Sequence, residues 1–346
     1  MGNCKTTQGG RTMKCIGLDI HKKETQACVL DEKGKVIHVK RIRTDVSDIG
    51  HWFGMIEAET NDELSVVIEA TGFYFWIYDC IVARGHKAMV VHPTKVKPLM
   101  KAKAKNDKND AFMLAELLRA GCLEGIYVPE KDVRDMRDLT RHRESMVRKK
   151  GDLKREIIAA LDQYGTKVPS EFRTNFSQKF KDWVRSLNNM IINDKLDLLE
   201  LTMSKIQNVE KIIEERYGKD EDVELMMTVP GIGLVTAAVL KAEIGDITRF
   251  SSAEKLATYV GVSPTTCQSG EKQWGGPTRR GNNRAKHVLI EATLFHYHFC
   301  NDSKISSYYQ RKKDAIGGKK AVVASSRKML EALYFMMTRK EVYRAH

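Results

Sequence analysis

The sequence of 346 residues contains no apolar run that approaches the roughly 20 residues of a membrane-spanning helix. It also lacks the apolar amino-terminal segment that is typical of a secretory signal peptide. The seven cysteines are odd in number and include no C-x-x-C pair, which argues against a disulfide framework and against a zinc site. We therefore expect a soluble protein of the reducing cytoplasm that has no membrane partner.

Acidic residues are fewer than basic ones. The chain has 45 Asp and Glu residues against 58 Lys and Arg residues, which gives a formal net charge of +13. A protein with this excess of positive charge attracts polyanions, and nucleic acid is the leading candidate partner. The length is sufficient for two or three domains, each with a core of its own.

The pattern of the amino-terminal third predicts a mixed α/β domain. Residues 13–20, 25–30 and 36–42 have the composition of three strands joined by short turns, which indicates an antiparallel meander. Helical patterns then alternate with buried strands over 64–70 and 88–91. Three strands followed by alternating helices and strands predict a mixed sheet covered by helices, in the order of the ribonuclease-H-like fold.

The α/β alternation stops near Lys131, where a long basic helix is predicted and a second long helix follows. The apolar residues of both helices repeat every three or four positions, which predicts either an antiparallel helical hairpin or a dimer seam. We expect four parts: a flexible extension over 1–12, a ribonuclease-H-like domain over 13–128, a helical linker or coiled coil over 129–219, and a mostly helical domain over 220–346.

Two features stand out in the carboxyl-terminal domain. The string "VPGIG", which contains Gly231 and Gly233, lies between two predicted helices and resembles the turn of helix-hairpin-helix DNA-binding modules, where backbone N–H groups approach a phosphate. A tight turn without a ligand is the alternative. The polar stretch 261–283 is predicted as a long loop, and loops of this kind often carry function.

Four acidic residues occupy places that a ribonuclease-H-like sheet brings to one edge. Asp19 ends the first strand, Glu69 ends the fourth, and Asp107 and Asp110 share one face of the helix expected after the fifth. The aspartate pair alone could be an ordinary helix cap. Four converging carboxylates, however, would repel one another by roughly 4 kcal/mol per close pair unless divalent cations lay between them. The pattern therefore predicts a catalytic Mg²⁺ or Mn²⁺ site for phosphoryl transfer.

Basic side chains provide the candidate nucleic-acid contacts. They lie beside the acidic residues, on the long basic helix, and in or just after the 261–283 loop. The same side chains could equally form a solvated basic surface. The predicted nucleic-acid-binding residues are Lys101, Lys103, Lys105, Lys108, Arg141, Arg148, Arg279, Arg280 and Lys286, together with Gly231 and Gly233 of the turn.

Six strings, in this order, resemble the transposases of the insertion-sequence 110 family. They are "GLDIHK", "VVIEATGFYFWIYDCIVARGHKAMVVHP", "KNDKNDAFMLAELL", "VPGIGLVTAAVL", "KLATYVGVSP" and "SG" followed by "RRGNNRAK". Together they cover most of the chain from Lys14 to His298. Six ordered motifs are far more specific than any one of them, so we take the resemblance as the main guide to function.

The resemblance implies a RuvC-like amino-terminal domain whose four-carboxylate metal site corresponds to Asp19, Glu69, Asp107 and Asp110. It also implies a carboxyl-terminal transposase domain whose serine corresponds to Ser269. In such enzymes the serine attacks the scissile phosphate, forms a covalent phosphoserine and releases a 3′ hydroxyl, which conserves the bond energy needed for strand exchange. The implied partners are double-stranded donor and target DNA, a structured bridge RNA that pairs with both, and further copies of the chain in a dimer or tetramer.

Two other functions stay open at this point. One is a junction-resolving nuclease that uses only the carboxylates and a metal-activated water. The other is a non-catalytic nucleic-acid-binding protein in which the helix-hairpin-helix element and the basic helix carry the function.

Overall fold

The computed structural model describes residues 13–60, 63–100, 107–172, 176–269, 272–276 and 281–344, and for residues 100, 107–109, 265–269 and 272–276 it describes the backbone alone. The predicted flexible extension over 1–12 lies outside these residues. The chain divides into two compact units, which we call the sheet unit (Met1–Val128) and the helical unit (Pro129–His346). No helix in the described part of the chain is long and apolar enough to cross a membrane.

The sheet unit contains the predicted mixed sheet, with its five strands in the order β3-β2-β1-β4-β5. The first three strands are antiparallel neighbours, whereas β1 and β4, and β4 and β5, run parallel. This arrangement confirms the ribonuclease-H-like fold class. The strands are β1 (Met13–Ile20), β2 (Glu24–Leu30), β3 (Val36–Arg43), β4 (Glu63–Glu69) and β5 (Lys87–Val91), and the helices are α1 (Val46–Thr60), α2 (Phe75–Ala83), α3 (Pro93–Met100) and α4 (Asp107–Arg119).

The central strands are apolar along most of their length because helices cover both faces of the sheet. On one face, Ile16, Leu18 and Ile20 of β1 pack with buried side chains of α1 and α2. On the other face, α4 lies directly against β1 at Gly17. A Cβ atom at Gly17 would lie 2.1 Å from the Ala111 carbonyl oxygen, so only glycine permits this close approach.

Helix α3 is absent from the sequence prediction, which placed the Asp107 helix directly after the fifth strand. That helix, α4, is in fact the second helix after β5. The α3 segment "PTKVKPLM" is short, is on average neither apolar nor polar, and contains Pro98, so its local signal for a helix is weak. Burial of Val96 in one apolar cluster with Val67 and Leu114 stabilises it instead.

The helical unit begins with the two long helices predicted from the sequence, α5 (Lys131–Gln163) and α7 (Met190–Tyr217). They pack against each other within one chain. Arg143 of α5 pairs with Glu210 of α7 at 2.6 Å, and Glu156 pairs with Lys195 at 2.5 Å. Later residues of α5 thus contact earlier residues of α7, so the two helices form the antiparallel hairpin.

Most of the remaining helices of the helical unit contribute to a second large apolar core, whereas α6 (Gln178–Ser186) packs with α5 and α7 in a separate cluster. Helix α8 (Glu221–Met227) and helix α9 (Leu234–Ile244) flank the "VPGIG" turn, as the sequence predicted, and the resemblance of this turn to a helix-hairpin-helix module stays a prediction. The elements are α6 (Gln178–Ser186), α8 (Glu221–Met227), α9 (Leu234–Ile244), α10 (Ala253–Val260), β6 (Thr265–Ser269), β7 (Lys272–Gly276), α11 (Asn283–Phe299), α12 (Lys304–Ile316) and α13 (Gly318–Arg339), with 3₁₀ turns at Ser170–Phe172 and Ile247–Arg249.

The prediction of a long loop over 261–283 missed two strands. Strands β6 and β7 in this stretch form an antiparallel hairpin, in which Cys267 pairs with Trp274 and Ser269 with Lys272. Each strand has only five residues, too few for a clear alternating pattern. The sequence did contain a signal, because the Gly270-Glu271 dipeptide between the strands is a Gly-X pair of the kind found in tight hairpins.

Candidate active site

Asp19 and Glu69 lie at the same level on neighbouring strands. Leu18 of β1 pairs with Ile68 of the parallel strand β4, and each acidic residue follows directly in its strand. Side chains alternate between the two faces of a strand, so Asp19 shares a face with Gly17 and Glu69 shares one with Val67. Both are on the α4 side of the sheet. The fold therefore brings these two acids together at the carboxyl ends of parallel strands.

Helix α4 adds Asp110 to this pair, because Asp110 directly precedes Ala111, the residue that packs on Gly17. Burial raises the pKa of the Glu69 carboxyl, and the negative charges of Asp19 and Asp110 raise it further. Asp107 is the first residue of α4, and its side chain lies outside the described part of the structure. Thus Asp19 and Asp110 both lie close enough to Glu69 to repel its charge.

Within the described residues, no three or more His, Cys, Asp or Glu side chains are already arranged as a metal site. The chemistry of the donor set nevertheless fits a hard divalent cation. Carboxylate oxygens are the ligands that Mg²⁺ and Mn²⁺ prefer. The repulsion that raises the Glu69 pKa is of the kind that a bound cation relieves.

Three residues near the acids were not identified from the sequence. The His21 Nε2 atom lies 3.1 Å from Asp19 Oδ2. His92 and Lys97 lower the pKa of Glu69, opposing the effect of the acids. His21 could have been found from its place in "GLDIHK" and His92 from its place after β5. Lys97 belongs to the unpredicted helix α3 and has no such signal.

A small cavity of about 190 Å³ lies beside this cluster, lined by His21, Lys23, Glu24, Gln26 and Arg41. Gln26 of β2 pairs with Asp19 of β1, so the cavity adjoins the acidic edge. Arg41 forms an ion pair with Glu24, which leaves the lining only moderately positive.

Ser269 is the last residue of β6, and its side chain lies outside the described part of the structure. The chain enters and leaves the hairpin region at one place. The Asn282 N–H donates to the Tyr259 carbonyl oxygen at 2.9 Å, and a Cβ at Gly281 would lie 2.6 Å from the Gly261 Cα. We call this crossing of residues 259–261 and 281–282 the neck of the hairpin region.

A buried carboxylate fastens the neck to the rest of the helical unit. Glu243 is only 1% exposed and accepts hydrogen bonds from Arg141 at 2.7 and 2.9 Å and from the Asn282 side chain at 2.8 Å. Burial alone would raise the Glu243 pKa, but these hydrogen bonds and the charges of Arg141 and Arg137 hold it below its usual value. Asn282 also caps α11. Nothing in the sequence pattern marked Glu243 for this role.

The predicted nucleic-acid contacts have varied surroundings. Arg141 is engaged by Glu243, whereas Arg148 is largely exposed and lies 3.3 Å from Glu144. Gly231 packs against the backbone of α11, which explains the glycine without a ligand, and Gly233 is an exposed residue at the start of α9. Lys286 is half-buried on α11. Lys101, Lys103, Lys105, Arg279, Arg280 and the side chain of Lys108 lie outside the described residues.

Comparison with known proteins identifies related chains. A family model for DEDD transposases of the IS110 type matches residues 16–166, and a second model, described as "Transposase IS116/IS110/IS902 family", matches residues 223–310. The first model spans the three described acids and Asp107, and the second spans Ser269 and Glu243.

Curated relatives match along most of the chain. The transposase for insertion sequence element IS1111A from Coxiella burnetii is 25% identical, over 98% of this chain and 94% of that protein. A probable family 20 transposase from Pseudomonas aeruginosa is 21% identical, over 95% of this chain and 98% of that protein. A pilin gene-inverting protein from Moraxella bovis is 25% identical, over 74% of this chain and 73% of that protein.

Proposed function

The chain belongs to the IS110 family of transposases, and from this premise we propose that it breaks and rejoins DNA strands through a covalent phosphoserine at Ser269. The observation that carries the catalytic part of the proposal is the convergence of Asp19, Glu69 and Asp110 at one sheet edge. Carboxylates that repel one another at the ends of parallel strands reduce stability without any structural benefit. A catalytic role explains why they are there.

The reaction is a phosphoryl transfer. The Ser269 hydroxyl oxygen attacks a DNA phosphorus, an O–P bond forms, and the bond from phosphorus to the 3′ oxygen breaks. The serine loses its proton, and the departing 3′ oxygen gains one. The phosphoserine ester keeps the bond energy, so a 3′ hydroxyl of another strand can attack it and restore the serine.

The acidic residues Asp19, Glu69, Asp107 and Asp110 would hold Mg²⁺ or Mn²⁺, which supplies Lewis-acid stabilisation of the charge that develops on the phosphate. The protein residues around them prepare the site. His21 holds Asp19 in place through its 3.1 Å contact, and Lys97 and His92 keep Glu69 closer to its ionised form. The Glu243 network fixes the neck of the hairpin region that carries Ser269.

The proposal includes a bridge RNA as the guide, so that base pairing selects donor and target DNA while the protein contacts mainly shape and backbone, as in other RNA-guided enzymes. A chain with a net charge of +13 is suited to holding both polyanions. The proposed working form is a dimer or tetramer in which Ser269 and the carboxylates come from the same subunit or from partners.

The decisive experiment is recombination in vitro with purified protein, donor DNA, target DNA and RNA transcribed from the DNA that flanks the reading frame. We expect the wild type to give recombinants and a protein–DNA adduct that survives denaturing electrophoresis. Ser269→Ala should give neither, and omission of the RNA should abolish recombination. Glu59→Gln, at an exposed acid of the sheet unit, serves as the control and should match the wild type.

The alternative functions predict other results. Strand cleavage by Ser269→Ala without any adduct would identify a nuclease that uses water. Unchanged function in Asp19→Ala and Glu69→Ala would identify a nucleic-acid-binding protein without catalysis. Recombination in the absence of RNA would refute the proposal that a bridge RNA guides the protein.

A further inference from the structure

A dense basic segment in the last part of the helical unit has no role in the proposed reaction. Between residues 304 and 328 the sequence contains a single acid, Asp314, and eight basic residues. This segment forms α12 and the first half of α13, which pack against each other. The eight basic residues are Lys304, Arg311, Lys312, Lys313, Lys319, Lys320, Arg327 and Lys328.

Part of this segment lines a cavity of about 550 Å³, together with residues that precede α12 and follow α13. The volume lies in the range of roughly 300–1,000 Å³ that is typical of small-ligand sites. Among the described lining residues four are cationic and one, Asp302, is acidic. The polar and aromatic residues that the argument uses are Lys304, Tyr308, Arg311, Lys328, Tyr343 and Arg344.

Most of the positive charges around the cavity have no ion-pair partner among the described residues. Lys328 pairs with Glu331 at 2.7 Å. Among the residues that the structure describes, no carboxylate forms an ion pair with Lys304, Arg311 or Arg344. Several unneutralised cations around one concave surface favour an anionic ligand.

The cavity also offers an aromatic surface beside those cations. Tyr308 is half-buried, and the Arg311 guanidinium and the Lys312 ammonium lie 5.5 and 5.6 Å from its ring centroid. Tyr343, which also lines the cavity, is held by a 3.1 Å hydrogen bond from its backbone N–H to the Thr228 side-chain oxygen and by edge contact with His296. Both cations lie over the Tyr308 ring, and a base can stack on a tyrosine or on an arginine guanidinium while neighbouring cations hold the flanking phosphates.

We propose that this cavity binds one or two nucleotides of a single nucleic-acid strand, with a base on Tyr308 and the adjacent phosphates on Arg311, Lys304 and Arg344. A single strand fits better than a duplex, because the faces of paired bases are covered by their neighbours in the stack. An acidic peptide would satisfy the charges but would leave Tyr308 without a planar partner. The inference deepens the proposed function by assigning a strand-binding contact to this unit, and it involves none of the proposed catalytic residues.

The test measures binding of the full-length protein to fluorescein-labelled single strands, dT15 and U15, and to a duplex of the same length, by fluorescence anisotropy. We expect Tyr308→Leu to weaken single-strand binding about five-fold or more, since stacking on one aromatic side chain has an effect of at least this size. Tyr308→Phe, which keeps the ring, should bind like the wild type. Arg311→Ala should weaken single-strand binding several-fold and flatten its salt dependence.

Lys313→Ala is the matched control, because it removes one positive charge from the same helix at a residue outside the cavity lining. We expect it to change binding less than two-fold, and thermal melts should show that all four variants fold. Equal losses in Lys313→Ala and Arg311→Ala would overturn the proposal in favour of diffuse charge attraction. Equal binding by Tyr308→Leu and Tyr308→Phe would also overturn it, as would competition by poly-glutamate as strong as that by dT15.

The two strands distinguish the source of the nucleotide. Tighter binding of U15 than of dT15 assigns the cavity to RNA, and the reverse assigns it to single-stranded DNA. Failure of the proposed function is measured separately, because Asp19→Ala should abolish recombination while leaving strand binding unchanged. If the wild-type protein does not recombine DNA but Tyr308→Leu weakens strand binding, the proposed reaction is refuted and the proposed strand-binding cavity is supported.

Discussion

Two glutamates, one in each unit, have opposite surroundings. Glu69 of the sheet unit is placed near Asp19 and Asp110, and burial together with these like charges raises its pKa. Glu243 of the helical unit is more deeply buried, yet Arg141 and Asn282 hold its pKa below the usual value. A carboxylate surrounded by like charges reduces the stability of its unit, whereas a fully paired one connects elements. The comparison supports the proposed metal-binding role of the first carboxylate and gives the second a structural role.

The largest expected effect is the loss of recombination when an acid of the sheet unit is replaced. Asp19→Asn should lower recombination by more than about a hundred-fold, because even residues that only support a metal ligand cost up to about that factor. Its free energy of unfolding should stay within about 1 kcal/mol of the wild type, since the change removes repulsion from Glu69. Urea unfolding tests the predicted stability, and the recombination assay tests the predicted loss of activity. A variant that loses stability in proportion to its activity would contradict a catalytic role.

The next effect tests how the sheet unit positions its acids. Gly17→Ala should destabilise the protein by at least about 3 kcal/mol, because its Cβ would lie 2.1 Å from the Ala111 carbonyl oxygen and force α4 away from β1. Gly54→Ala is the control, since a Cβ at this α1 residue meets nothing within 4 Å. It should stabilise the protein by about 0.5–1 kcal/mol. Equal urea midpoints for the two variants would refute the close approach.

The paired glutamate of the helical unit should give a stability effect rather than a purely catalytic one. Glu243→Leu should cost about 3 kcal/mol of unfolding free energy, near the lower end for breaking a buried ion pair, because Arg141 is 40% exposed and can be rehydrated. The control is Glu254→Gln, at an exposed acid of α10, which should change the free energy of unfolding by less than about 0.5 kcal/mol. Urea unfolding followed by circular dichroism measures both. A stable Glu243→Leu variant would show that the neck is held by other contacts.

The smallest expected effect is on the pH dependence of stability, and it concerns a buried histidine of the helical unit. Burial lowers the pKa of His296, which donates from Nδ1 to the Pro230 carbonyl oxygen at 2.8 Å. As pH falls below the ordinary value of 6.5, the unfolded chain takes up this proton while the folded one does not, so stability falls until the folded pKa is reached. His296→Gln should therefore lose less unfolding free energy than the wild type as the pH falls. Unfolding at pH 8 and pH 5.5 tests it.

The control for this titration is His287→Gln, on the same helix but 68% exposed. It should keep the pH dependence of the wild type, because it leaves the buried His296 in place. If His296→Gln and the wild type lose the same stability between the two pH values, the buried histidine does not contribute to the decline.

Much of the fold was predictable because its signals are local. Strand β1 was predicted at its observed bounds, and the pair of long helices followed from apolar residues three and four positions apart. Elements stabilised mainly by tertiary contacts were missed. Helix α3 depends on the burial of Val96, and strands β6 and β7 are too short to show a period.

The candidate site divides in the same way. The sequence indicated Asp19, Glu69 and Asp110 because strand ends and helix starts can be recognised locally, and their proximity follows from strand order. Asp107 and Ser269 stay predictions, since their side chains lie outside the described structure. His92 and Lys97 as neighbours of Glu69, and Glu243 as the anchor of the neck, depend on contacts between distant segments that no local pattern encodes.

Composition and periodicity are properties of the linear chain, and they were enough to predict the class of each unit, the positive charge and the acids available for chemistry. Which charges are opposed and which are paired became visible only in the folded protein. That distinction depends on how closely backbones approach, as at Gly17, and on which side chains meet in the interior, as Arg141 meets Glu243. A carboxylate has the same formula in both places, and its neighbours in space determine whether it is suited to catalysis or to holding the fold together.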